Sequence, residues 1–202
     1  MTLGLFWLRR ILRMASGKYL LNRIYIIPTY RCNQECRYCG LKCYNGFYPR
    51  WDKEISYPTW KPILSMLDEV SEIVITGGEP TLYVNFVALV NYLSPRHLVY
   101  IDTNFTNHIL WSDLIPSDNV FFVVSLHKTK GFSSLIFNHN VERARLMKFH
   151  YKVYELGKTK KIQTQDELYH ECTLSSKLII IPDGSIHFTQ FKAFKYMEEH
   201  RE

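Results

Sequence analysis

Four of the 5 cysteines, Cys32, Cys36, Cys39 and Cys43, crowd into one short stretch directly behind an apolar, β-prone run, Arg23–Ile27 (RIYII). Thiolates bind soft or borderline metals, and the spacing C-x3-C-x2-C lets one loop wrap a metal cluster corner by corner. A disulfide scaffold spreads an even number of cysteines along a short secreted chain. The crowding here points instead to metal in a reducing compartment, and a cytoplasmic location is expected. Two readings stay open on these residues alone. Cys32, Cys36 and Cys39 hold an iron–sulfur cluster with one iron left open, or Cys43 completes a four-ligand site of the kind structural zinc prefers.

Length and composition set the frame. The chain has 202 residues, enough for one domain with a small appendage, and 47% are hydrophobic, enough for a core. The formal net charge of +6 fits either ordinary solubility or attraction to anionic partners such as RNA, acidic peptides or membrane surfaces. Residues 1–21 read as a basic amphipathic helix packed on the domain. Arg9, Arg10 and Arg13 interrupt the apolar run where a signal peptide stays apolar. No stretch has the uninterrupted apolar length of a membrane span.

Along residues 22–156, short apolar runs alternate with amphipathic stretches. Strands are predicted at Arg23–Ile27, Glu72–Thr76, Leu98–Asp102, Val120–Ser125 and Lys152–Leu156. Helices are predicted over 58–69, around Phe86, Leu89, Val90 and Leu93, and near 139–149. Such alternation implies an α/β fold with parallel pairing, whose ligand site gathers at the C-terminal strand ends. The cysteine loop follows the first strand, Gly77-Gly78-Glu79-Pro80 the second, Thr103-Asn104 the third, and Ser125-Leu126-His127 close the fourth.

With Cys32-Asn-Gln-Glu-Cys36-Arg-Tyr38-Cys39 and Thr76–Pro80 (TGGEP) in place, the sequence resembles the radical S-adenosylmethionine (SAM) superfamily. That family carries C-x3-C-x-aromatic-C after its first strand and Gly-Gly-Glu-Pro after its second. The resemblance implies a partial (β/α)5-6 barrel and two cofactors, a [4Fe-4S] cluster and SAM. It implies that Cys32, Cys36 and Cys39 bind three irons, while SAM chelates the fourth. Tyr38 would lie against the adenine. Gly77 and Gly78 would present backbone polar groups to the methionine, with Pro80 closing the turn, and Glu79 would hold the methionine amino group. Thr103, Asn104 and Ser125 match more weakly, near the ribose and methionine ends. The bland readings are a Tyr38 that packs the loop, a GGEP that is only a turn, and a strand-end turn at Thr103-Asn104. His127 reads as a rim residue, Arg143 and Arg145 as a solvated helix face, and Cys43 as a bystander.

Residues 157–202 form a C-terminal extension. They include a short helix around 164–170 and two β-prone runs, Lys177–Pro182 and Ser185–Phe191, flanking Asp183-Gly184, a strong hairpin signal. A helix from Phe191 to His200 follows. The run 177–182 is either a sixth barrel strand or the start of an appended hairpin. It resembles the SPASM or twitch extensions of peptide-modifying radical SAM enzymes. Phe188 stands where those carry a cysteine, and only Cys172 remains, so no second cluster is expected. The resemblance therefore implies a radical SAM enzyme acting on a peptide or protein, served by an external flavodoxin- or ferredoxin-type electron donor. Alternatives are nucleoside or RNA-base modification or deazapurine-type chemistry, with RNA as a partner; a glycyl-radical activase; and a non-catalytic metal-binding module.

Overall fold

Alternation of apolar and polar residues along five short runs builds the sheet. The structure, a computed structural model, describes residues 23–36, 39, 54, 60, 64, 72–155, 178–180 and 186–187. Its strands are β1 (Arg23–Ile26), β2 (Glu72–Ile75), β3 (Leu98–Thr103), β4 (Val120–Leu126), β5 (His150–Glu155), β6 (Leu178–Ile180) and β7 (Ile186–His187). They form one seven-stranded sheet in the order β5-β4-β3-β2-β1-β6-β7. Neighbours from β1 to β5 are parallel. The α/β, partial-barrel expectation holds.

One face of this sheet is the core. Ile24, Ile26, Ile73, Ile75, Val99, Ile101, Val120, Phe122 and Val124 are all buried. Helix α1 (Phe86–Leu93) covers them with Phe86, Leu89, Val90 and Leu93, a helical stripe worth roughly 1.5–3 kcal/mol per buried side chain. Trp60 and Leu64, both helical and both fully buried, mark the predicted 58–69 helix. On the other face, Tyr25, Tyr100, Asp102, Phe121, Val123 and Ser125 are only half-buried.

Three expectations shift. Helix α2 spans Ser134–Leu146, earlier than the predicted 139–149. Ser133 caps it by accepting from the Ile136 N–H at 3.4 Å. Strand β5 begins at His150, where the imidazole stacks on Phe121 at 4.8 Å. Finally, β6 is a strand of the main sheet, yet it does not follow β5. It pairs parallel with the free side of β1, with Tyr25 beside Ile179, and turns into antiparallel β7. The hairpin thus exists and is built onto β1.

The expected N-terminal helix, the helices at 164–170 and 191–200, and Tyr38, Cys43 and Cys172 lie outside the described residues. No helix among the described residues is long and apolar enough to cross a membrane.

Candidate active site

The chain leaving β1 carries the cysteines. Cys32, Cys36 and Cys39 are half-buried and in no disulfide. Cys32 also feels the charge of Cys36, Cys39 and Glu79. Burial pushes the Cys32 thiol up to about 12, against the pull of the Gln34 backbone N–H; Glu79, Cys36 and Cys39 raise it further. A thiol in such a place becomes a thiolate only when positive charge arrives with a metal. Among the described residues no group of three His, Cys, Asp or Glu side chains is placed to hold a single metal ion. A cubane cluster makes no such demand, since each thiolate takes its own iron.

The loop is held from three directions. Behind it lies the GGEP turn: the Gly78 N–H donates to the Thr29 carbonyl at 3.1 Å and the Glu79 N–H to the Arg31 carbonyl at 2.7 Å. A Cβ on Gly78 would stand 2.1 Å from the Arg31 oxygen, and one on Gly77 would stand 2.6 Å from the Thr29 oxygen. The missing side chains therefore admit the first residues of the cysteine loop itself. That differs from the expected reason for these glycines, close approach of a methionine.

The end of β3 supplies the second hold. Asn104 donates through Nδ2 to Asn33 Oδ1 at 2.9 Å and accepts the Thr106 N–H at 2.8 Å. Asn33 Nδ2 donates to the Thr106 carbonyl at 3.0 Å, and Gln34 Nε2 to the Thr106 hydroxyl at 3.1 Å. The third hold is the turn after β4. Glu35 and Lys130 form an antiparallel bridge and an ion pair at 3.0 Å. The Cys36 Sγ lies 3.7 Å from the Thr129 hydroxyl. Gly131, at φ +91°, lets the Asn33 carbonyl pass where a Cβ would meet it at 2.1 Å. Beside Cys32, Arg31 is tied to Glu54 through Nε at 2.9 Å and to the Leu82 carbonyl at 2.7 Å.

Glu79 is engaged within the protein. Its residue is 1% exposed, and its carboxylate accepts from the Thr81 N–H and hydroxyl at 3.1 and 2.6 Å, the Thr103 hydroxyl at 2.7 Å and the Asn104 N–H at 2.7 Å. The carboxylate thus meets four protein donors. Burial raises its pKa, against those hydrogen bonds, which lower it. Thr103 is likewise turned to the core side and occupied by Glu79 and by the Phe105 N–H at 3.1 Å. The Asn104 side chain braces the cysteine loop. Pro80 opens a short 3-10 turn, Pro80–Leu82, for which Glu79 is the cap. Ser125 stands on the half-exposed face opposite Tyr154 of β5. His127 follows β4, its pKa lowered by burial. Arg145 pairs with Glu142 on the surface, as a solvated helix face predicts. Sequence reasoning missed Arg31, Asn33, Gln34, Thr106, Thr129 and Gly131. Only the polar run Asn104–Asn107 hinted at them.

Comparison with known proteins agrees with this geometry. The sequence model of the Radical SAM superfamily matches residues 26–123. A 7-carboxy-7-deazaguanine synthase of Clostridium acetobutylicum is 40% identical over 67 residues, covering 31% of this chain and 28% of that one. Among solved structures, Streptococcus suis SuiB bound to S-adenosylmethionine superposes with a TM-score of 0.54 at 16% identity, over 95% of this chain and 47% of SuiB. SuiB bound to its precursor peptide SuiA gives 0.57 at 16% identity, over 95% and 48%. BtrN in complex with AdoMet and 2-DOIA gives 0.55 at 15% identity, over 89% and 79%. The chain thus spans under a third of the curated relative and about half of SuiB. Radical SAM proteins use a [4Fe-4S] cluster and SAM, and the three cysteines on one braced loop fit such a cluster. Residues 26–123, just under half of this chain, thus match the radical SAM superfamily.

Proposed function

We propose that this chain is a radical SAM enzyme that cleaves SAM at a [4Fe-4S] cluster held by Cys32, Cys36 and Cys39, and that its substrate is a peptide or protein. The observation that carries the reading is the cysteine loop, braced at once by the GGEP turn, the end of β3 and the turn after β4. When bound, cluster and SAM supply one-electron cleavage of the sulfonium to a 5′-deoxyadenosyl radical.

The chain's own residues bind and position. Cys32, Cys36 and Cys39 are the iron ligands. Gly77 and Gly78 offer backbone polar groups beside them, Tyr38 a flat face for adenine, and Ser125 a hydroxyl on the half-exposed face. Glu79, Thr103 and Asn104 act as positioning residues that keep the loop in place. The buried side chains behind the loop, Tyr83 and Phe105 among them, exclude water from that side. The electron comes from an external flavodoxin- or ferredoxin-type donor, and the chain works in the cytoplasm.

The likeness to SuiB bound to its precursor peptide supports the peptide substrate. The 40% identity to a 7-carboxy-7-deazaguanine synthase favours a second reading, in which the substrate is a small heterocycle.

The test is anaerobic reconstitution of the full chain with iron and sulfide, followed by reduction in the presence of SAM. The expected result is roughly four irons per chain and formation of 5′-deoxyadenosine with methionine. Cys32→Ala, Cys36→Ala and Cys39→Ala should each lose both, while Cys43→Ala and Cys172→Ala keep both. A colourless protein that binds zinc and leaves SAM intact would overturn the proposal.

A further inference from the structure

The turn after β4 braces the cysteine loop and also touches one of its sulfurs. Residues 129–132 close on themselves, the Phe132 N–H donating to the Thr129 carbonyl at 3.1 Å. The loop is fastened to this turn at the residue before Cys36. There the Glu35 N–H donates to the Lys130 carbonyl at 3.0 Å, and Lys130 Nζ pairs with the Glu35 carboxylate at 3.0 Å. Gly131 packs against the Asn33 carbonyl, so turn and loop are held at three successive points. The Thr129 hydroxyl is thereby presented to the Cys36 Sγ at 3.7 Å, across 93 residues of chain. Sulfur is larger than oxygen, and its hydrogen bonds are correspondingly longer.

Neighbouring groups decide which way that bond can run. A neutral thiol is a weak donor and a weak acceptor, and either atom of the pair can give the hydrogen. As an iron ligand Cys36 is a thiolate, and it can only accept. Gln34 Oε1 lies 4.0 Å from the same sulfur, and the network behind it fixes its orientation. Asn104 Oδ1 accepts both the N–H and the hydroxyl of Thr106, at 2.8 and 2.6 Å. The Thr106 hydroxyl has then given its hydrogen away, and its oxygen accepts from Gln34 Nε2 at 3.1 Å. The Gln34 amide therefore turns its NH2 to Thr106 and its oxygen to the sulfur. An oxygen there suits a thiol and opposes a thiolate. The Thr129 hydroxyl, whose hydrogen rotates, can donate to the thiolate.

Hydrogen bonds to the sulfurs are among the features that set the potential of an iron–sulfur cluster. Reduction adds one electron, and negative charge on the ligand sulfurs rises with it. A donor at a sulfur therefore stabilises the reduced form more than the oxidised form. Cys32 has such a donor in the Gln34 backbone N–H, which a change of the Gln34 side chain leaves in place. At Cys36 the donor is a side chain.

We infer that Thr129 is a positioning residue that donates its hydroxyl hydrogen to the Cys36 thiolate and so raises the cluster's reduction potential, easing the one-electron reduction that precedes SAM cleavage. This rests on the radical SAM reading and deepens it with a residue that lies in neither sequence motif. The electron comes from the external donor, and the hydroxyl keeps its proton throughout.

The experiment is a redox titration of the full reconstituted chain without SAM, read by EPR of the reduced cluster, with iron content measured beside it. Thr129→Val keeps the side chain's shape and removes the hydroxyl, whereas Thr129→Ser keeps the hydroxyl. All three proteins should hold the same iron. At the wild-type midpoint potential, the ratio of reduced to oxidised cluster should fall about fivefold in Thr129→Val and stay close to wild type in Thr129→Ser. Thr129→Ala serves if Thr129→Val does not load. A wild-type midpoint in Thr129→Val or Thr129→Ala, or a Thr129→Ser midpoint shifted as far as theirs, overturns the inference and leaves the cluster standing. Loss of iron in both hydroxyl-free variants makes Thr129 a brace only and overturns it as well. A wild-type chain that takes up no cluster overturns the radical SAM reading and this inference together.

Discussion

The Glu79 carboxylate accepts the Asn104 backbone N–H at 2.7 Å, so the turn that follows β2 is pinned to the residue that follows β3. Asn104 in turn holds Asn33 of the cysteine loop. One buried carboxylate therefore sets where two strand ends stand relative to the thiols.

Glu79→Ala should unfold the chain more easily even without any cofactor. It strands the Asn104 and Thr81 N–H groups in a buried place, at about 1–3 kcal/mol each, so a loss of about 4 kcal/mol is expected in urea denaturation. Glu79→Gln, which keeps one acceptor oxygen, should lose less. A carboxylate that served only to grip SAM would leave the stability of the cofactor-free chain unchanged in both variants.

Gly131 lies far from the cysteines in sequence and directly against their loop. Gly131→Ala places a Cβ 2.1 Å from the Asn33 carbonyl at a φ of +91°, a strain of roughly 1–3 kcal/mol. Lower thermal stability and a poorer yield of cluster on reconstitution are expected. Lys130→Ala next to it removes only a surface ion pair and should change either quantity little. Equal behaviour of the two variants would mean the turn after β4 does not support the loop.

Asn140 is wholly buried. It accepts the Trp111 indole N–H at 2.9 Å and donates to the carbonyls of Phe105 and Asn107 at 2.9 and 2.7 Å. It thereby holds the chain where Phe105 adopts a φ of 55°. Asn140→Ala leaves these partners buried and unmet, and denaturant unfolding should show a loss of about 3 kcal/mol.

Asp102 makes stability depend on pH. Its folded pKa is raised, chiefly by burial, so the unfolded chain ionises first as pH rises. Stability from this group is present below its unfolded value of about 4 and is lost as pH climbs from there through the folded value. Asp102→Asn abolishes that loss. The two proteins should converge in acid, and the variant should become the more stable at neutral pH, as thermal melts across the range will read. Arg23, whose charge lowers the Asp102 pKa, has its own pKa raised, chiefly by the hydrogen bond to Glu72, and keeps its charge throughout this window. Wild-type stability that rises through the window would contradict the burial of this carboxyl.

Local pattern in the sequence reached as far as local causes did. The cysteine spacing, the GGEP turn and the strands from Arg23 to Ser125 are visible because residues two or four apart share a face. The α2 start was misplaced because the helix buries few side chains, Phe137, Asn140 and Ala144, one of them polar, so its apolar period is faint. The brace around the loop was invisible for another reason. Asn33 meets Asn104 and Glu35 meets Lys130 across long stretches of chain, and no spacing rule links them. The role expected of Glu79 comes from its motif, whereas its burial and its four donors are tertiary facts. The place of β6 was equally out of reach, since an isolated IIIP run carries no sign of which neighbour it will choose.

That neighbour has a consequence for synthesis. The strand that leads into the cysteine loop is made well before the strand that covers its second edge, residues 178–180. At the pace of a ribosome, the gap is on the order of ten seconds. Throughout it, β1 offers an open backbone edge to any other extended chain. A nascent chain halted between residues 156 and 177 would keep that edge indefinitely. The cysteine loop therefore has to wait for the far end of the sheet before its own strand is enclosed on both sides.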